Sequence, residues 1–146
     1  MKNVSRSNFL NPAPIRVLHV DDEPSDLEIT RVLLRREGKE DFEISSVLSA
    51  EAALEILESE HFDAIISDYK MPRMDGMEFL EEVRKSRKHA QIPFILFTGK
   101  GGEEVAKEAF KKGADSYIPK AGVTATQCTE LAHTLRGLVK GENGEG

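Results

Sequence analysis

The sequence predicts an α/β domain, a doubly wound five-stranded parallel sheet with helices on both faces. Short runs rich in Val, Ile, Leu and Phe alternate five times with stretches of helical periodicity, and the connections between them are short. The strongest runs are apolar at most positions, not at every second one, as strands covered on both faces are. Acids stand directly after two of them, Asp21-Asp22 after the first and Asp68 after the third. A carboxylate at the end of a buried strand packs poorly. It is well placed for chemistry, because open α/β sheets bind ligands outside the carboxyl ends of their strands.

Residues 1–14 read as a disordered lead-in, rich in Asn and Ser and closing with Pro12-Ala13-Pro14. Ile15-Arg16-Val17-Leu18-His19-Val20 is the first strand. Pro24 suits the first turn of a helix, with an acid just before it as N-cap. That helix runs to about Glu37, carries Leu27, Val32, Leu33 and Leu34, and stops at Gly38. Phe42 to Leu48 is the second strand. Ser49 caps a second helix with Ala53, Leu54 and Leu57 on one face. Asp63 to Asp68 is the third strand, and Asp75-Gly76 opens a helix bearing Phe79, Leu80 and Val83. Pro93 to Thr98 is the fourth strand. Gly99-Lys100-Gly101-Gly102 is a flexible loop before a helix from Glu103 to Lys112, which Gly113 ends. Ala114 to Pro119 is a short fifth strand. A last helix from about Thr124 to Val139 sets Cys128, Leu131, Leu135 and Leu138 at helical spacing. The domain therefore spans 15–139, with a flexible tail over 140–146.

The 146 residues suffice for one domain with a proper core. A composition 39% hydrophobic and 32% charged argues against disorder. The net charge of −6, with no long Lys/Arg cluster, disfavours nucleic acid or an anionic membrane as partner. No apolar run approaches the ~20 residues of a membrane span, and the first residues lack the apolar stretch of a signal peptide. The single cysteine, Cys128, excludes an internal disulfide and fits a reducing compartment. A cytoplasmic protein is expected.

If the first and third strands are neighbours, Asp21, Asp22 and Asp68 crowd one crevice. Like charges so close repel, and a divalent cation relieves them. Mg²⁺ takes one or two carboxylates plus water and phosphate oxygens, and Mn²⁺ is an alternative. Two further strand ends carry a hydroxyl, Thr98, and an ammonium, Lys120. The set suits phosphoryl transfer, with an Asp as nucleophile and with metal and lysine offsetting charge on the phosphoryl oxygens.

Over residues 14–139 the chain resembles the receiver domains of two-component response regulators. The resemblance rests on Val20-Asp21-Asp22-Glu23, Ser67-Asp68-Tyr69-Lys70-Met71-Pro72-Arg73-Met74-Asp75-Gly76, Ile92-Pro93-Phe94-Ile95-Leu96-Phe97-Thr98 and Gly113-Ala114-Asp115-Ser116-Tyr117-Ile118-Pro119-Lys120. It implies a flavodoxin-like (βα)5 fold with strand order 2-1-3-4-5. It further implies that Asp68 accepts a phosphoryl group from the phosphohistidine of a sensor histidine kinase. Asp21 and Asp22 would hold Mg²⁺ together with Asp68 and the backbone carbonyl of Lys70. Lys120 would pair with a phosphoryl oxygen, Thr98 would move toward the phosphoryl group, and Tyr117 would rotate inward behind it. The surface of the fourth helix, fifth strand and fifth helix would change, regulating a protein target or a phosphotransfer partner in a relay. The same surface is the expected homodimer face.

The chain departs from the family in two places. Ala121 follows Lys120 where the family has Pro after a cis peptide; a cis bond to Ala would cost about 3 kcal/mol, so trans is expected. Gly99 follows Thr98 where Ala is frequent. Lys70, two residues past Asp68, is expected to slow hydrolysis of an acyl phosphate. Asp75 reads as an N-cap rather than a ligand, and His19, inside an apolar strand, as structural. His61, His89 and His133 lack metal-ligand spacing. A phosphatase of the haloacid dehalogenase type would need an Asp at position 70, and a flavodoxin would need a phosphate loop where this chain has Asp-Asp-Glu. A degenerate receiver that serves only as a binding module is the remaining alternative. The switch itself is expected not to be an enzyme beyond its own phosphorylation and dephosphorylation.

Overall fold

In the computed structural model, which describes residues 13–141, the five strands pair in parallel in the order β2-β1-β3-β4-β5. They are β1 (Ile15–Val20), β2 (Phe42–Val47), β3 (Ala64–Ser67), β4 (Phe94–Thr98) and β5 (Ser116–Pro119). Helices α1 (Pro24–Arg36), α2 (Ala50–Ser59), α3 (Gly76–Lys85), α4 (Glu103–Lys111) and α5 (Ala125–Lys140) follow them in turn. The expected fold class and strand order are both observed. The expected lead-in lies outside the described residues except for Ala13 and Pro14, and the expected tail except for Lys140, which ends α5, and Gly141, its left-handed cap.

Alternate strand residues face opposite sides, so the sheet has two cores. Leu18, Val20, Ile65 and Leu96 pack with Leu57 of α2, Phe79 and Leu80 of α3 and Ala109 of α4. Val17, Ile66, Ile95, Phe97 and Ile118 pack with Leu34 of α1 and Cys128, Leu131 and Leu135 of α5. Each large apolar side chain buried in these layers contributes about 2 kcal/mol. Val32 does not join them; it is 42% exposed on the outer face of α1, beside Ile29. No helix among the described residues is long and apolar enough to cross a membrane.

The caps follow local chemistry. Ser49 Oγ accepts from the Ala52 amide, and Thr124 Oγ1 accepts from the Gln127 amide. Asp75 Oδ1 accepts from the amides of Met77 and Glu78, while the Glu78 carboxylate accepts from the Asp75 amide, a complete capping box. Glu23 occupies the N-cap of α1 without a side-chain cap bond; Asp21 Oδ1 instead accepts from the Glu23 amide at 3.0 Å.

Register decides what happens at the strand ends. Val20 of β1 lies opposite Ser67 of β3, and the Asp68 amide donates to the Val20 carbonyl at 2.9 Å. Asp21 and Asp68 therefore leave the sheet side by side. Thr98 lies opposite Pro119, which delivers Lys120 to the same edge. Gly76 lets α3 start against this edge: a Cβ there would meet the Asp68 carbonyl oxygen at 2.1 Å.

Candidate phosphoacceptor site

The crevice opens where strand order reverses between β1 and β3, the place where doubly wound sheets bind ligands. Carboxylate oxygens of Asp21, Asp22 and Asp68 lie within 4.8 Å of one another, the one such group with metal-ligating potential among the described residues. Asp21 and Asp68 are buried, at 1% and 7% exposure, while Asp22 is half-buried. Asp68 Oδ1 accepts from the Tyr69 amide at 2.7 Å. Its Oδ2 stands 3.7 Å from Lys120 Nζ.

Lys120 is nearly enclosed, its side chain 7% exposed. The ammonium donates to Asp21 Oδ2 at 2.8 Å and to Asp26 Oδ2 at 2.9 Å. It also stacks over the Phe97 ring, 5.3 Å from the centroid. Burial works against the charge on Lys120, and hydrogen bonds to Asp21 and Asp26 outweigh it, so its pKa rises. Burial likewise pushes the Asp21 carboxyl above its usual range, with Lys120 pulling the other way. An all-oxygen set with this much uncompensated charge fits a hard divalent cation such as Mg²⁺.

Thr98 is buried at the end of β4, and its Oγ1 accepts from the Lys100 amide at 3.0 Å. Tyr117 is half-buried against the α2–α4 core, and its hydroxyl accepts from the Gly102 amide at 2.9 Å. No hydrogen bond joins Thr98 to Tyr117. Lys70 is exposed, with Nζ 4.8 Å from the centroid of the Tyr69 ring and no bond to Asp68. The Lys120–Ala121 peptide is trans, as expected; no peptide among the described residues is cis. Gly99 belongs to the same local arrangement, since a Cβ there would lie 2.6 Å from the Lys120 carbonyl oxygen.

His19 is fully enclosed beneath this crevice, and burial keeps it neutral, lowering its pKa to about 3. His61 pairs with Asp63, and His89 Nε2 lies 3.0 Å from the Leu57 carbonyl oxygen. The residue that sequence reasoning missed is Asp26. An acid in the first turn of a helix reads as a partner of the helix dipole, and only the fold brings Lys120 onto it.

The family model for the response regulator receiver domain matches residues 17–131. The chain belongs to the response regulator receiver family. Transcriptional regulatory protein SrrA of Staphylococcus aureus is 36% identical over 104 residues, 71% of this chain and 41% of that protein. The chain thus spans less than half the length of the curated relatives it matches. A CheY-like receiver domain protein from Methanospirillum hungatei is 30% identical with a TM-score of 0.76, covering 92% of this chain and 100% of that one. Chemotaxis protein CheY4 of Vibrio cholerae is 28% identical with a TM-score of 0.75, over 86% of this chain and 99% of that one. Receiver domains are signalling switches of two-component systems, and this receiver carries the acidic pocket at which the family binds Mg²⁺.

Proposed function

We propose that Asp68 accepts a phosphoryl group from the phosphohistidine of a sensor histidine kinase and that the resulting charge switches the receiver unit over residues 15–139. The observation that carries this reading is the pairing of a nearly buried Asp68 with two further carboxylates and one enclosed ammonium. An Asp68 oxygen attacks phosphorus, the P–N bond of the donor breaks, and the imidazole leaves with the bonding electrons. Asp21, Asp22 and Asp68, with the backbone carbonyl of Lys70, would hold Mg²⁺, which would supply charge neutralisation on the transferring group. Lys120 donates to a phosphoryl oxygen from its place 3.7 Å from Asp68 Oδ2. Tyr69 N–H fixes the other carboxylate oxygen and so orients the nucleophile.

The readout begins at Thr98. Its hydroxyl accepts from the Lys100 amide, so movement of Thr98 toward a phosphoryl oxygen pulls on the loop before α4. Tyr117 contacts the same loop at Gly102 and follows it. The α4-β5-α5 surface is thereby biased between two arrangements, and a protein target, a relay phosphotransfer protein or a second copy of the chain reads the difference.

The test is the intact mass of the protein after incubation with acetyl phosphate, with and without Mg²⁺, for the wild type and Asp68→Asn. A Mg²⁺-dependent gain of one phosphoryl group that the variant lacks is expected. No gain in early-quenched wild-type samples would mean that the chain is a degenerate receiver acting as a binding module.

A further inference from the structure

We propose that Asp26 is a positioning residue that holds Lys120 at the phosphoryl site when a cation occupies the carboxylate cluster. This rests on the function proposed above and adds a component to it. An ammonium has three donors. In Lys120 one is taken by Asp21 and one by Asp26, at 2.8 and 2.9 Å, and Asp68 Oδ2 stands 3.7 Å away for the third. The two short bonds aim the remaining donor at the place where phosphoryl oxygens arrive.

The two anchors are not equivalent. Asp21 belongs to the three-carboxylate cluster, so a divalent cation competes with Lys120 for it. Asp26 stands outside that cluster, in the first turn of α1. It keeps its bond to Lys120 whichever partner Asp21 takes. Pro24 at the first helical position sets the start of α1 and with it the place of Asp26. The Lys120 backbone is held by Pro119 before it and by its amide, which donates to the Thr98 carbonyl at 2.8 Å, while Ala121 and then Gly122 at φ +74° follow it. Those backbone contacts do not fix the end of a four-carbon side chain, and Asp26, from a different element, holds the ammonium itself.

Removing Asp26 also removes a negative charge that repels anionic donors, so the experiment must separate position from charge. The full chain is compared with Asp26→Ala, Asp26→Asn, Lys120→Ala and the Asp26→Ala/Lys120→Ala double variant. Phosphoryl uptake from acetyl phosphate is measured at saturating Mg²⁺ by early quench and intact mass, and Mg²⁺ affinity by calorimetry. Asp26→Ala is expected to slow uptake by at least about tenfold, the scale of one charged hydrogen bond. Asp26→Asn retains an acceptor and is expected to lose less. In the Lys120→Ala background the Asp26→Ala loss is expected to vanish, because the positioning effect of Asp26 runs only through Lys120. Mg²⁺ affinity is expected to change little.

Wild-type uptake in Asp26→Ala would overturn the proposal. So would faster uptake in Asp26→Asn, which would make charge the dominant effect, or an undiminished loss in the Lys120→Ala background. If Asp26→Ala does not fold, Asp26→Asn and its combination with Lys120→Ala carry the same comparison. An independent readout is the ¹⁵N resonance of the Lys120 ammonium in the Mg²⁺-loaded protein. Protection from exchange in the wild type, weaker protection in Asp26→Asn and its loss in Asp26→Ala are expected; protection in Asp26→Ala equal to the wild type overturns the anchor. That signal requires no phosphorylation, so a wild type that takes up no phosphoryl group counts against the proposed function alone.

Discussion

The hydroxyl of Tyr117 accepts a hydrogen bond from the backbone amide of Gly102 at 2.9 Å, tying β5 to the N-cap of α4. Gly101 packs on the same ring edge, where a Cβ would meet the hydroxyl at 2.2 Å. Tyr117→Phe removes the acceptor and leaves the ring. The freed amide is exposed and finds water, so global stability is expected to fall by no more than about 1 kcal/mol. Amide exchange at Gly102 and through the first turn of α4 is expected to speed up, as hydrogen-exchange NMR reads directly. Unchanged exchange would mean that the tyrosine does not restrain this loop.

Gly99 and Lys120 approach through their backbones, and the atom that a Cβ at residue 99 would meet is a carbonyl oxygen rather than a flexible side chain. Gly99→Ala is therefore expected to cost about 1–3 kcal/mol in urea unfolding, the range of an overpacked site. Because the displaced carbonyl belongs to Lys120, phosphoryl uptake is expected to slow in the same variant. An alanine accommodated at no cost would show that the two loops separate freely.

Lys70 rests its ammonium over the Tyr69 ring and is otherwise free to turn toward a new anion beside it. Once Asp68 is phosphorylated, the stronger attraction is expected to draw Lys70 across the path of attacking water. Lys70→Ala is then expected to hydrolyse its acyl phosphate about three- to tenfold faster. The decay of the phosphorylated mass after donor removal measures it, and an unchanged decay removes Lys70 from the site.

Arg84 joins three segments on the far side of α3. Its guanidinium donates to the carbonyls of Ala90 and Ile92 before β4, to the Gly113 carbonyl after α4, and to the Asp115 carboxylate. Asp115 in turn accepts from the Phe94 amide at 2.8 Å. Arg84→Ala leaves several partly buried carbonyls unpaired and is expected to cost about 2–4 kcal/mol in urea unfolding. Arg84→Lys is expected to recover little, because an ammonium cannot reproduce the planar fork.

Cys128 lies in the α1–α5 core, where burial, with a smaller contribution from Glu37, pushes the thiol pKa from 9.0 up to about 11. The fold thus favours the neutral thiol. Its contribution to stability is complete below about pH 9, where the unfolded thiol is also protonated, and is lost as pH rises toward 11. The difference in urea midpoint between wild type and Cys128→Ala is expected to shrink across that window. Alkylation by iodoacetamide is expected to stay slow in the native protein at pH 8 and to become fast in urea.

The alternation of buried strands and amphipathic helices was legible because apolar periodicity is local. So were the cap at Ser49 and the acid-capped start of α3 at Asp75, since each depends on residues within one turn; Thr124, read only as the approximate start of the last helix, is its N-cap. Val32 was misleading because a 3.6-residue pattern does not say how wide the covered stripe is. Strand order was reached through family resemblance. The side-by-side exit of Asp21 and Asp68 rests on that order and on the register of Val20 with Ser67.

By itself the sequence determined the fold class and the strand ends that carry Asp21, Asp22, Asp68, Thr98 and Lys120, the residue types on which the proposed phosphoryl transfer rests. Tertiary structure decided the rest. It set Lys120 between Asp21 and Asp26, residues 99 and 94 positions away in the chain, and it matched Gly99 to the Lys120 carbonyl. Those relationships come from the packing of α1 and the β5–α5 loop against one sheet edge. Nothing in local propensity encodes them, because a side chain's neighbours across a parallel sheet depend on register and crossover, not on the residues beside it in sequence.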